Sequence, residues 1–198
     1  MKLKFTICIQ ILSILLCGCS SSLLTEEPLN DTWSDSGYAK IGHNLTIENS
    51  DNRFTLLENR DTLSSEGLYY ATWTIGDSMP FENSDGDTVD LYDAHLYLLL
   101  GEYPSPDRAT ENMEKWLTAG KNNYEVLTEE EITCNNQIYT MISYHFTGAE
   151  NPYDRGVSVF GVCGKNAVCI ELTCRENFAE DLKTIIIPFL EHCTFEVD

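Results

Sequence analysis

The sequence predicts an α+β fold, a mostly antiparallel sheet with two principal helices packed on it. Three observations predict it. Several short segments alternate apolar and polar residues with a period of two, one long run from Val89 to Leu100 is apolar on both parities, and two stretches, 105–120 and 177–188, carry helical spacing between hairpin signals.

Taken in order, Ile41, His43, Leu45 and Ile47 alternate with Gly42, Asn44, Thr46 and Glu48, which reads as a half-buried strand with His43 on its core side. Further strands are expected at Phe54–Leu57 and Leu68–Ile75. Val89–Leu100 should be a central strand covered on both faces, ending at Gly101. The clearest helix follows: Ser105 as N-cap, Pro106 in the first turn, Asp107 at the positive end of the dipole, then Ala109, Met113, Trp116 and Leu117 on one face, with Gly120 as the stop. Glu129–Cys134 and Gln137–Phe146 should form a hairpin about Asn135-Asn136, because asparagine tolerates the positive φ of primed turns. Val157–Cys163 and Ala167–Cys174 form a second about Gly164, Lys165 and Asn166. The other helix is placed from Asn177, with Glu180 as its capping-box partner and Phe178, Leu182, Ile185 and Ile186 along one side. Pro188 should end or kink it, and a short strand, Thr194–Val197, closes the chain.

The residues ahead of this domain read differently. Lys2 and Lys4 precede an apolar run from Phe5 to Leu16, and a small residue, Gly18, follows, which is the plan of a secretory signal. As a helix the run would reach roughly 18 Å, against a hydrocarbon core of about 30 Å, so a permanent span is disfavoured. Leu16, Cys17, Gly18 and Cys19 resemble the lipobox of bacterial lipoproteins. That resemblance implies cleavage after Gly18 and a diacylglycerol thioether on Cys19, with two acyl chains giving stable anchoring. Residues 1–18 are thus expected to be a signal peptide, 19–36 a lipidated cysteine with a flexible Ser-, Thr- and acid-rich linker, and 37–198 one α+β domain.

Charge narrows the partners. The chain has 12 Lys+Arg against 32 Asp+Glu, a formal net charge of −20. Such a balance repels nucleic acid and anionic headgroups and favours solubility, cations or basic partners. The domain's cysteines, Cys134, Cys163, Cys169, Cys174 and Cys193, are odd in number. Pairs among Cys163, Cys169 and Cys174 are open, as are buried thiols acting as small hydrophobes.

The element order, the Ser105-Pro106-Asp107 helix start, the turn at Asn135-Asn136, the Gly164-Lys165-Asn166-Ala167 hairpin and the closing Phe178-to-Phe189 helix resemble the PsbP-like family, small α/β/α sandwiches that include many bacterial lipoproteins. The resemblance implies a module for protein association or accessory roles, with no common catalytic residue.

Candidate sites are few. Gly76-Asp77-Ser78-Met79 is similar to the Gly-Asp-Ser-Leu block of one esterase family, but the late Asp-x-x-His pair is missing, since Phe189 stands three residues before His192. A turn after the preceding strand explains the four residues. Glu82, Asn83, Asp85, Asp87 and Asp90 could gather around a calcium ion, yet the EF-hand template would put Phe81 at its first position and Tyr92 at its last, so an exposed acidic turn is expected. Asp93 and His95 share a strand face and form the expected buried polar feature, in a structural role. His145 should face solvent or a helix edge, and Tyr69, Tyr70 and Trp73 should pack in the sheet. No catalytic, cofactor or metal motif assembles from these residues. The expectation is a non-enzymatic binding or accessory module, held on the extracytoplasmic face of a cell membrane by lipid on Cys19. An envelope protein is its expected partner, with an envelope hydrolase or a cation-binding lipoprotein as the alternatives.

Overall fold

The computed structural model describes residues 38–48, 53–63, 67–82, 86–146 and 151–196; the expected signal, Cys19 and the linker lie outside them. The elements are β1 (Tyr38–Ile41), β2 (Leu45–Glu48), β3 (Thr55–Leu63), β4 (Leu68–Glu82), β5 (Thr88–Glu102), α1 (Pro106–Asn123), β6 (Glu125–Cys134), β7 (Gln137–His145), β8 (Arg155–Cys163), β9 (Asn166–Cys174), α2 (Lys183–Glu191) and β10 (Cys193–Phe195). Seven strands form one antiparallel sheet in the order β3-β4-β5-β9-β8-β7-β6, and β1-β2-β10 form a smaller one. The α+β class is therefore as expected.

Strand parity divides the large sheet into two cores. Ala94, Leu96, Leu98 and Leu100 of β5 and Val168, Ile170, Leu172 and Cys174 of β9 face one way. They pack with Ile185, Ile186, Phe189 and Leu190 near and within α2, and with Ile41, Leu45 and Ile47 of the small sheet. Leu99, Phe160, Ala167 and Cys169 face the other way, beneath Ala109 and Trp116 of α1. One covering layer is thus a helix alone, and the other is a short helix combined with three strands. Burying Trp116 to 2% exposure contributes on the order of 2–3 kcal/mol by area. All nine residues of β9 are buried, so the most central strand is β9. The long apolar strand β5 lies beside it, and its first residues, Thr88 to Asp90, are exposed.

Several expectations are corrected. The strand read through Ile41–Ile47 is a hairpin, because Gly42 at φ +58° reverses the chain and pairs Ile41 with Leu45. The reversal puts His43 in an exposed turn rather than the core, with Nδ1 2.8 Å from Glu102 Oε2 and 2.9 Å from the Tyr69 hydroxyl. Helix α1 begins as expected, with the Ser105 side chain accepting from the Arg108 N–H at 3.4 Å, but runs through Gly120 to Asn123. Gly120 is buried over Phe160 and Ile142, so its missing side chain admits close packing instead of stopping the helix. The last helix starts at Lys183, not Asn177. Glu180 is drawn to Arg53 at 3.0 Å and makes no capping box, and Asp181 instead accepts from the Lys183 N–H at 3.1 Å. Pro188 lies inside it on the exposed side, where the missing hydrogen bond faces water, and the helix continues to Glu191.

The two expected hairpins are present. Asn135 and Asn136 take φ of 49° and 61°, and Gly164 begins the β8–β9 turn at φ 62°. At the middle of the sheet Gly161 lies opposite Tyr139, and a methyl group there would collide with the Tyr139 ring. Gly161→Ala is expected to lower stability by about 1–3 kcal/mol, as overpacking of a filled core does. Urea unfolding followed by tryptophan fluorescence would measure this shift.

Candidate functional site

The sheet's helix-side face carries a row of polar residues beyond the reach of α1. Asp93 and His95 project from β5, Glu171 and Thr173 from β9, and Ser158 from β8, all by the same parity that places Leu99 and Phe160 on this side. The expected pairing of Asp93 with His95 is not what forms. Asp93 accepts from the Asp77 N–H at 3.0 Å and forms an ion pair with Arg175, whose own backbone N–H donates to the Asp93 carbonyl. His95 Nδ1 meets the Tyr97 hydroxyl at 2.8 Å, with the two rings 4.2 Å apart. The neighbours that claim each group are Arg175, just past the end of β9, and Tyr97, two residues on, so sharing a strand face was not sufficient to pair them.

Burial lowers the His95 pKa to about 4, so the ring is neutral near pH 7. Its Nε2 is buried without a hydrogen-bond partner. A neutral imidazole with one nitrogen engaged can accept a proton only at a cost in desolvation, and Asp93 is held by a cation on one side and an amide on the other. The arrangement ties β5 to Arg175 and to the β4 bulge at the point where the two strands leave the sheet.

Beside them is a cluster the sequence reading missed. Glu171 is 3% exposed, and the Tyr144 hydroxyl donates to its Oε1. Ser158 Oγ lies 3.3 Å from the same oxygen, and Tyr124 stacks on Tyr144 at 4.0 Å and 9°. Burial pushes the Glu171 carboxyl up from its usual range, and the surrounding hydroxyls offset part of that push. Burial and the neighbouring Glu171 keep the Tyr144 hydroxyl protonated as a donor. One signal could have found the cluster: a single carboxylate inside Ala167–Cys174, where every other residue suits a two-sided core.

The Gly76-Asp77-Ser78-Met79 segment is no turn. Strand β4 continues through it to Glu82, with a bulge between Ile75 and Ser78 where Gly76 takes φ +79° opposite Asp93. Beyond the bulge, β4 and β5 form a two-stranded ribbon. Pairing with β3 ends at Thr55↔Thr74 and pairing with β9 ends at Ala94↔Cys174, while β4 and β5 stay paired out to Glu82↔Thr88. Of the residues considered for calcium, Glu82, Asp87 and Asp90 lie on its described part. Asp87 and Asp90 are exposed, Gly86 has open space around it, and Asn83 and Asp85 lie outside the described residues. Among the described residues no group of three His, Cys, Asp or Glu side chains is placed to hold a metal ion.

Cys134, Cys163, Cys169, Cys174 and Cys193 are free and buried. Cys169 lies in the α1-side core and Cys163 and Cys174 in the other, which separates Cys169 from both expected partners. Burial raises all five thiols, Cys174 to about 11. They are small hydrophobes here. No described helix is long and apolar enough to cross a membrane. A shallow concavity along α1 is lined by Glu111, Glu114, Lys115 and Asn122, none of which belongs to the polar row.

No family model matches the chain, and no curated protein does. Among solved structures it is similar to cyanobacterial PsbP (CyanoP) from Synechocystis sp. PCC 6803, at 12% identity and TM-score 0.39, over 74% of this chain and 95% of that one. It is also similar to a protein of Bacteroides thetaiotaomicron VPI-5482, at 8% identity and TM-score 0.38, over 80% of this chain and 47% of that one. Neither likeness bears on function at that distance. The α+β class is given by the strand order and the helices themselves.

The two buried titratable groups should tilt stability in opposite directions. Unfolded His95 takes a proton as pH falls through about 6.5 and the folded form resists until about 4, so folding stability is lost as pH falls across that window. The slope is at most about 1.4 kcal/mol per pH unit. Glu171 has a raised folded pKa, so its contribution is lost as pH rises above the unfolded value of 4.5. Urea unfolding across pH should show His95→Phe flattening the acid limb and Glu171→Gln removing the loss at higher pH. Tyr144→Phe, which leaves a buried carboxyl oxygen short of its donor, is expected to cost about 1–3 kcal/mol.

Proposed function

We propose that this chain is a lipid-anchored, extracytoplasmic lipoprotein whose α+β domain serves as a non-enzymatic association module of the cell envelope. The anchor rests on the basic start, the short apolar run and the Leu16-Cys17-Gly18-Cys19 lipobox. The association reading is carried by one observation: apolar side chains of the β4–β5 ribbon, Met79 and Val89, stand in solvent beyond the edge of the sheet, at 45% and 40% exposure. The titratable residues near the ribbon's base are meanwhile engaged with one another.

Both halves of the proposal can be tested in cells. The wild-type chain should fractionate with membranes and carry diacylglycerol on Cys19 by mass spectrometry, whereas Cys19→Ser should leave it unlipidated. An unmodified N-terminus downstream of Cys19 would overturn the anchor. A photo-crosslinking residue placed at Val89, Ile138 or Glu114 in turn should give a discrete crosslinked species from at least one position. Monomer alone from all three would overturn the association reading.

A further inference from the structure

We propose that the β4–β5 ribbon is a docking surface for an extended, basic protein segment with alternating apolar side chains; this rests on the association reading and names the kind of partner. Directly paired residues on antiparallel strands share a face. The pairs Met79↔Leu91 and Phe81↔Val89 therefore make one face of the ribbon apolar, and Ser78↔Tyr92, Pro80↔Asp90 and Glu82↔Thr88 make the other largely polar. Leu91 is buried, Phe81 half-buried, and Met79 and Val89 exposed, so the apolar face is partly open.

The ribbon also has open edges. Among the described residues neither strand has an outer ladder partner past Thr74 or Ala94. The β4 edge is a poor template for another strand, since it carries the bulge and Pro80, which has no N–H. The β5 edge between Thr88 and Leu91 has neither obstacle. A segment laid along it would gain backbone hydrogen bonds while its alternate side chains met Val89 and Leu91.

Charge selects the occupant. On the described part of the ribbon Asp77, Glu82, Asp87 and Asp90 are exposed, and neither of its strands carries Lys or Arg between Gly76 and Tyr92. A second copy of this chain would bring the same carboxylates against these, on a molecule already at −20. An anionic lipid surface meets the same repulsion. A segment bearing Lys or Arg beside its apolar residues meets complementary charge. The ribbon's exit is held in advance by the bulge, the Asp93–Arg175 ion pair and the Arg175 contact to Met79 Sδ, which limits the ordering needed on binding.

The test uses the full lipidated chain in a neutral detergent, with three fluorescent peptides of equal length: alternating Val and Lys, Val and Glu, and Ser and Lys. Anisotropy should show the Val/Lys peptide binding about tenfold or more tightly than either of the others, and weakening with added salt. Met79→Ser with Val89→Ser should weaken it about tenfold, while Glu82→Gln with Asp90→Asn should weaken it several-fold and flatten the salt dependence. Thermal unfolding should move little, because all four side chains are exposed and the Asp93–Arg175 ion pair and the bulge remain when the Met79 contact is lost. Amide shifts should concentrate at Thr88–Leu91. Undiminished binding to the Met79/Val89 variant, shifts centred on another edge, binding to phosphatidylglycerol vesicles that the double serine variant abolishes, or dimerisation abolished by that variant would each overturn the proposal. If the peptide fails while crosslinking from Ile138 or Glu114 persists, the ribbon proposal falls and the association reading stands; loss of both removes both.

Discussion

Strand β9 has no solvent-facing side, and the rest of the molecule is arranged around that constraint. Residues Asn166–Cys174 are all buried, so both backbone edges must be paired and both side-chain faces covered. The edges are met by β5 and β8. One face is covered by α1 over Ala167 and Cys169 and by Tyr144 against Glu171, and the other by α2 with the small β1-β2-β10 sheet. Two cores rather than one result, each fed by alternate residues of a single strand.

The same constraint explains the unusual placement of Glu171. It occupies a position that would otherwise hold an apolar residue, and it is tolerated because Tyr144 and Ser158 reach it from β7 and β8 while Tyr124 closes over Tyr144 at the end of α1. A buried carboxylate without those donors would lose far more in desolvation than a hydrogen bond returns. Asp93 and His95, at the margin of that face, take up bonds with Arg175 and Tyr97 for the same reason.

Exposed carboxylates lie both on the β6 edge and on the β4–β5 ribbon. On β6, one of the two edge strands of the large sheet, Glu129, Glu130 and Glu131 are exposed, with Lys121 and Lys183 reaching Glu129 and Glu130. Charge on an edge strand discourages pairing with other chains. The β4–β5 ribbon differs, since its carboxylates accompany an open apolar face rather than replacing it. That contrast between a defended edge and an undefended one is what gives the ribbon its interest.

From the sequence alone the class of fold, the Ser105–Pro106 helix start, both long hairpins and the acidic balance were legible, because each depends on local spacing or on residue types that act locally, such as Asn135-Asn136 at positive φ. The resemblance of Leu16-Cys17-Gly18-Cys19 to a lipobox is likewise a matter of local spacing, and it lies outside the described residues. What was not legible required neighbours distant in the chain. Gly42 broke a strand that alternation had continued, in a turn whose His43 and Asn44 N–H groups donate to Glu102, Gly120 served packing against Phe160 instead of a helix end, and Glu180 left its expected cap for Arg53. Whether Asp93 met His95 or Arg175, whether Glu171 had donors, and whether the segment after Ile75 turned or ran on as a ribbon were decided only when β5 met β9 and β4 outran β3. Periodicity reports which side of a strand a residue occupies; only the tertiary structure decides what stands across from it.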